Sequence, residues 1–134
     1  MIQWNVSYSV KNESLDKEHQ TLFSALDKFY EGLKSGEGKE SLLNLMHELV
    51  DYATGHFSNE EAFMKRIGFP GLEGHKKKHE SFVKQVNDFL TRYEAGEIPA
   101  TYEITHFIMD WITHHIKRED MQYAKWDSQR TGHI

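Results

Sequence analysis

The chain has 134 residues, about one domain's worth, with 16 Lys and Arg against 21 Asp and Glu, a formal charge of −5. That mild acidity argues against nucleic acid and anionic membrane surfaces as partners. The absence of cysteine excludes disulfides, thiolate metal sites, iron–sulfur clusters and cysteine nucleophiles. No apolar run is long enough to span a bilayer, and Met1-Ile2-Gln3-Trp4-Asn5 does not read as a secretory signal, so the expected location is cytoplasmic. The unusual entry in the composition is histidine, with 9 residues.

A single domain spanning 1–134 is expected, opening with an arm over 1–14 in which Ile2, Trp4, Val6 and Val10 alternate with polar residues. The arm reads as extended chain packed on the domain, with Asn12 or Ser14 near the first helix cap. Asn5-Val6-Ser7 and Asn12-Glu13-Ser14 match the glycosylation pattern, which matters only in a secreted chain. Leu15, His19, Leu22, Phe23, Leu26 and Phe29 then recur at helical spacing. After Gly36 and Gly38 a second stripe runs through Leu42, Leu45, Met46, Leu49, Ala53 and Phe57. Gly68-Phe69-Pro70-Gly71 breaks it, and a third follows with Phe82, Val83, Val86, Phe89 and Leu90. Beyond Gly96 and Pro99 the fourth carries Ile104, Phe107, Ile108, Trp111, Ile112 and Ile116. Four long segments joined by short breaks predict an all-α, antiparallel up-down four-helix bundle. Lys76-Lys77-Lys78 reads as a solvated helix face, and residues 127–134 as a frayed polar tail.

The histidines fall on those stripes. His56 and Glu60 stand four residues apart, as do His75 and His79, so each pair shares one helix face. His19 lies within the first stripe. His115 and Asp120 are five apart, about 140° around an ideal helix, which is poor for joint ligation. A widened π-type turn between Trp111 and Asp120 would bring them together. Burying five imidazoles and two carboxylates without compensation is costly, and metal binding supplies the compensation. His47, His106, His114 and His133 fall off these faces and serve as surface or boundary residues.

The donor set is nitrogen and oxygen only, which leaves iron, manganese or zinc open. Seven side chains exceed one ion's needs and suit two ions bridged by carboxylates. Two six-coordinate ions take about 12 donor positions. Five imidazoles, two bridging carboxylates and a bridging oxide or hydroxide supply all but one of these, leaving room for a small ligand.

The pieces Leu15-Asp16-Lys17-Glu18-His19 with Leu22-Phe23, His56-Phe57-Ser58-Asn59-Glu60-Glu61, His75-Lys76-Lys77-Lys78-His79 with Phe82, and Trp111-Ile112-Thr113-His114-His115-Ile116 through Asp120 and Tyr123 resemble the hemerythrin family, in its bacterial single-domain form. The resemblance covers Trp4 to about Trp126. It implies a non-haem di-iron centre, Fe2+ without oxygen and Fe3+ in the oxygenated and oxidised forms, with a bridging oxide or hydroxide. His75, His79 and His115 would hold one iron, His19 and His56 the other, with Glu60 and Asp120 bridging. The implied function is reversible O2 binding for transport, storage or intracellular delivery, not catalysis. An O2-consuming enzyme is the implied recipient.

Leu22, Phe57, Trp111, Ile112 and Ile116 would wall the O2 pocket, all apolar and without an acid or base to promote O–O cleavage. Glu61 is expected to face solvent, and Tyr123 either to back the site or to pack at the surface. The rival readings are a di-iron enzyme acting on O2, peroxide or nitric oxide, and an O2 or iron sensor. A ferritin-like oxidase would want two Glu-x-x-His motifs, and only Glu103-Ile104-Thr105-His106 matches. The oligomeric state is not legible.

Overall fold

The computed structural model describes residues 4–98 and 102–130, apart from the side chain of Glu103; Pro99 and His133 lie outside the described residues. Among these residues the secondary structure is entirely helical. A 3-10 turn at Val6–Tyr8 precedes α1 (Glu13–Lys34), α2 (Lys39–Arg66), α3 (Leu72–Glu94) and α4 (Tyr102–His114). A π-helical segment, His115–Asp120, then runs directly into α5 (Met121–Arg130), so α4, the π segment and α5 form the fourth rod of the bundle.

Each connection follows from local chemistry. Asn12 caps α1 by accepting from the Leu15 amide at 3.1 Å, and Asn5 caps the 3-10 turn by accepting from Ser7 N. Both asparagines of the glycosylation-like triplets are thus engaged as caps. Asp16 ties the arm to the first turn of α1, accepting from the Val10 amide at 2.9 Å and the Ser9 hydroxyl at 2.6 Å. At the other helix ends, Gly36, Gly68 and Gly96 take positive φ of 72°, 68° and 79°. This left-handed residue lets the last turns of α1, α2 and α3 close with 6→1 bonds, as in Phe69 N to Met64 O at 3.0 Å.

The arm departs from the expected extended form. It makes one 3-10 turn that buries Tyr8 and Val10 but leaves Val6 81% exposed. The expected tail also begins later than predicted, because α5 stays helical through Arg130, where an Arg130–Asp127 ion pair at 2.7 Å spans its last turn. Trp126 holds this helix to the α2–α3 turn by donating to the Ile67 carbonyl at 3.1 Å.

The core is in two parts. A large apolar cluster includes Leu22, Phe29, Met46, Phe57, Phe82, Ile108 and Ile116, and a small one at the opposite end comprises Val10, Leu15, Met64, Ile67, Tyr123 and Ala124. Along the chain the polar positions fall between them: His19 between Leu15 and Leu22, His75 and His79 between Leu72 and Phe82, His115 and Asp120 between Ile112 and Tyr123. The bundle therefore carries one polar layer with apolar packing on both sides.

Candidate metal centre

Eight polar or charged residues are buried among those described, and seven of them are the predicted ligands His19, His56, Glu60, His75, His79, His115 and Asp120, none more than 5% exposed. The eighth, Thr105, lies apart on α4. His47, His106 and His114 are exposed. The division among the eight described histidines therefore follows the helix faces. His106 at the surface also leaves the lone Glu-x-x-His motif without a buried histidine.

The widened turn predicted before Asp120 is present. Met121 N–H reaches the Ile116 carbonyl, an i→i+5 bond, at the end of the π segment. This brings His115 Nε2 within 3.1 Å of Asp120 Oδ1. In the same layer His115 Nε2 lies 2.9 Å from His79 Nε2 and 3.0 Å from His75 Nε2. Two donors at right angles around an ion at a metal–nitrogen distance of about 2.1 Å are roughly 3.0 Å apart, so His115 stands to both His79 and His75 at the separation that neighbouring nitrogens of one ion take.

The two carboxylates divide their oxygens. Glu60 Oε1 faces His79 Nε2 at 3.2 Å, while Oε2 faces His19 and His56 Nε2, each at 3.4 Å. Asp120 Oδ1 faces His75 and His115 at 2.9 and 3.1 Å, while Oδ2 faces His19 at 3.2 Å. Both carboxylates thus belong to two nests, Glu60-His75-His79-His115-Asp120 and His19-His56-Glu60-Asp120, whose ligand atoms lie within 4.8 Å of one another in each.

Despite this crowding, Glu60 Oε1, both Asp120 oxygens and both His19 nitrogens have no aligned hydrogen-bond partner. Lone pairs converging on shared points give short distances with poor donor angles, and orphaned polar atoms at full burial are expensive. The residues therefore fit a pair of cations bridged by Glu60 and Asp120.

Charge is strained accordingly when the nests hold only protons. Burial lowers the His56 pKa, but Glu60 and Glu18 outweigh it and drive it up to about 10. Glu60 is held well below the usual carboxylate range: burial raises it, and the charge of His56 with bonds from His19, His56 and His79 more than reverses that. Asp120 is lowered as well, its three imidazole contacts prevailing over burial and the repulsion of Glu60. His115 moves down because burial dominates.

Residues 10–126 match the hemerythrin HHE cation binding domain. The chain belongs to the hemerythrin family. It is 32% identical over 127 residues to the bacteriohemerythrin of Clostridium acetobutylicum, covering 92% of this chain and 98% of that one. It is 29% identical over 121 residues to the myohemerythrin of Theromyzon tessulatum, covering 90% and 89%. A solved wild-type hemerythrin superposes with a TM-score of 0.88 at 25% identity, over 93% of this chain and 96% of that one. These likenesses and the all-helical architecture make this chain a hemerythrin-type four-helix bundle.

The apolar residues expected around O2 divide in an unforeseen way. Leu22, Phe57, Ile112 and Ile116 are buried, and Trp111 is half-buried in the same cluster. Yet Phe57 stacks on His79, centroids 3.9 Å apart and 8° from parallel, and Trp111 stacks on His115 at 4.4 Å and 11°. Two of the five therefore pack directly on ligands of the three-histidine side, and Phe57 also meets the His56 ring of the two-histidine side, centroids 6.0 Å apart. Ile112, Ala53, Phe82 and Ile108 also line a void of about 10 Å³, too small and too apolar to hold a bonded water.

Three residues of this hemerythrin back the ligands in ways the sequence did not resolve. Tyr123, fully buried, donates its hydroxyl to Glu60 Oε2 at 2.7 Å. Glu61, expected in solvent, instead accepts from His79 Nδ1 at 2.8 Å. Glu18 accepts from His56 Nδ1 at 2.7 Å and from Asn59 Nδ2 at 2.7 Å. The available signal was position: each carboxylate neighbours a ligand in sequence, about 100° around its helix, at the edge of the buried face.

Proposed function

We propose that this protein binds O2 reversibly at a di-iron centre, for oxygen transport, storage or delivery in the cytoplasm to an O2-consuming enzyme, and that it is a binder and not a catalyst. In this reading His75, His79 and His115 would hold one iron and His19 and His56 the other, with Glu60 and Asp120 shared between them. The observation that carries it is the division of both bridging carboxylates between a three-nitrogen and a two-nitrogen nest. That asymmetry leaves one donor position short on the two-histidine side. Two irons, bridged by oxide or hydroxide and cycling between Fe2+ and Fe3+, would supply the electrons that reversible O2 binding needs.

The protein's own part is to hold that position dry and unreactive. Leu22, Ile112 and Ile116, each no more than 3% exposed, offer dispersion contacts to a neutral diatomic and no hydrogen bond to water. Tyr123 keeps its proton, its pKa pushed well above 10 by burial and by the charges of Glu60 and Asp120. It therefore acts as a fixed donor to Glu60 and not as an acid. No other protonated acid stands among the described ligands, so the site is poor at promoting O–O cleavage.

The test is a gas cycle. Reducing the iron-loaded protein anaerobically, admitting air, then flushing with argon should raise and then abolish a visible charge-transfer band over repeated rounds. Irreversible bleaching on the first exposure, or a preparation that takes up zinc but no iron, would sink the reading.

A further inference from the structure

Each nest contains one histidine whose outer nitrogen meets a carboxylate that is itself no ligand. On the two-histidine side it is His56 with Glu18, and on the three-histidine side His79 with Glu61. The arrangement is matched: the bonds are 2.7 and 2.8 Å, the rings are 3% and 2% exposed, and the carboxylates 27% and 26%. Both carboxylates sit on the walls of surface clefts, Glu18 with Thr21, Asp51 and Asn59, and Glu61 with Ser58, Glu80 and Lys84.

We propose that Glu18 and Glu61 are the positioning residues of this centre, one for each ion, each locking its imidazole with Nδ1–H outward and the Nε2 lone pair toward the metal. The inference rests on the di-iron reading above. An ionised carboxylate can only accept, so the ring nitrogen it touches must donate. A neutral imidazole has a single N–H, and once that is spent on the carboxylate the other nitrogen presents its lone pair. The bond also fixes the ring about its side-chain torsions, and the negative charge raises the donor strength of the ligating nitrogen.

The two locks are not built alike. Asn59 holds the second oxygen of Glu18 from one turn beyond His56, so Glu18 is clamped between two groups of α2. Phe57, stacked on the His79 ring, holds that ring from its face while Glu61 holds it from its edge. Loss of Glu18 thus removes the clamp of His56, whereas loss of Glu61 leaves His79 one of its two restraints. The Glu18 variant should be the more severe.

Two measurements test this. In the metal-free protein, nitrogen-edited proton spectra should show hydrogen-bonded Nδ1–H protons of His56 and His79 shifted downfield, the first lost in Glu18→Ala and the second in Glu61→Ala. In the iron-loaded protein, release to a chelator should speed up roughly 10- to 100-fold for one of the two irons in each alanine variant. Glu18→Gln and Glu61→Gln, whose amide oxygens still accept, should return release to within a few-fold of the parent. Glu80→Ala, altered in the same cleft as Glu61 but off the ring, should change nothing.

A bare Nδ1 on either ring of the parent protein overturns the proposal. So does parent protein holding two irons whose release is indifferent to both alanine variants, or variants that shed both irons together, which marks general loosening. Should an alanine variant fail to fold, the glutamine variants and the parent spectrum still decide. Parent protein that takes up no iron overturns the di-iron reading instead, and the metal-free spectra then report on the orientation of the rings by themselves.

Discussion

At the scale of single residues the centre is defined by which nitrogen faces which oxygen. His79 sits in the three-nitrogen triangle 2.9 Å from His115, is stacked by Phe57 and contacts Glu60 from a buried position. His47 lies on the exposed face of α2, only nine residues before His56. The pair is a sharp contrast, because both are histidines on the bundle and only one can reach a nest. His79→Ala should drop metal content from about two irons per chain toward one, the two-histidine ion surviving. His47→Ala should leave both irons in place. Iron analysis after gel filtration reads the difference, and equal loss from the two variants would refute the assignment. Loss of the His79 ring also opens a cavity beside Phe57, so a thermal scan of the metal-free variant should show a cost of about 2 kcal/mol or more that is separate from iron loss.

At the scale of elements the decisive device is the π segment. His115 and Asp120 are five positions apart, and on a regular helix that spacing would turn the carboxylate about 140° away from the imidazole. The i→i+5 turn absorbs the surplus residue, as the 3.1 Å contact between them shows. Deleting the exposed Arg118 would convert the spacing to four, about 40° apart on an ordinary helix, and would keep Tyr123 and Ala124 in phase. That variant should fold and retain iron. Inserting one alanine after Arg118 would instead rotate Asp120 and everything beyond it by about 100°, and should abolish iron binding while the helix content by circular dichroism stays high. An insertion variant with full iron would show that the turn does not set the position of Asp120.

The elements also show what a sequence can and cannot display. The four stripes were legible because burial on one side of a helix imposes a period of 3.6, and even the π turn was legible as a spacing that failed to fit it. Glu61 was not, since whether an edge residue meets water or a ring on the next helix depends on how α2 and α3 approach, which periodicity does not encode. The run of α5 through Arg130 was hidden for a related reason. Polar residues there carry no stripe, and the helix is held by Trp126 bonding across to Ile67. Likewise the stacking of Phe57 on His79 follows from how α2 and α3 approach, whereas Trp111 meets His115 four residues along its own rod, a pairing the spacing does carry.

At the scale of the whole molecule the polar layer sets how stability responds to pH, and metal should reverse that response. In the metal-free protein Glu60 and Asp120 have lowered pKa values, so the stability they confer is present above the unfolded value near 4 and lost as the pH falls through the folded one. His56 is raised from 6.5 to about 10, so its contribution is full below 6.5 and is lost as the pH climbs toward 10. His115 has the opposite sign and trims stability on the acid side of 6.5. The metal-free chain should therefore weaken steadily from pH 6.5 to 10.

Ligation, in contrast, requires neutral imidazoles, and a cation bound to His56 must first displace the proton that Glu60 and Glu18 help to hold there. Raising the pH removes that competitor, so iron binding tightens over the same range in which the metal-free fold loosens. The melting temperature of loaded protein minus that of metal-free protein should widen from pH 6.5 to 9, measured in scans at fixed ionic strength with excess iron kept reduced under argon. His56→Gln should make the metal-free curve shallower, because one titrating charge is gone, while His19, which Asp120 and Glu60 also raise against its burial, keeps the sign of the slope. Parallel curves for the loaded and metal-free parent would mean that proton and metal do not compete for this layer, and that the buried nest is held together by something other than its ions.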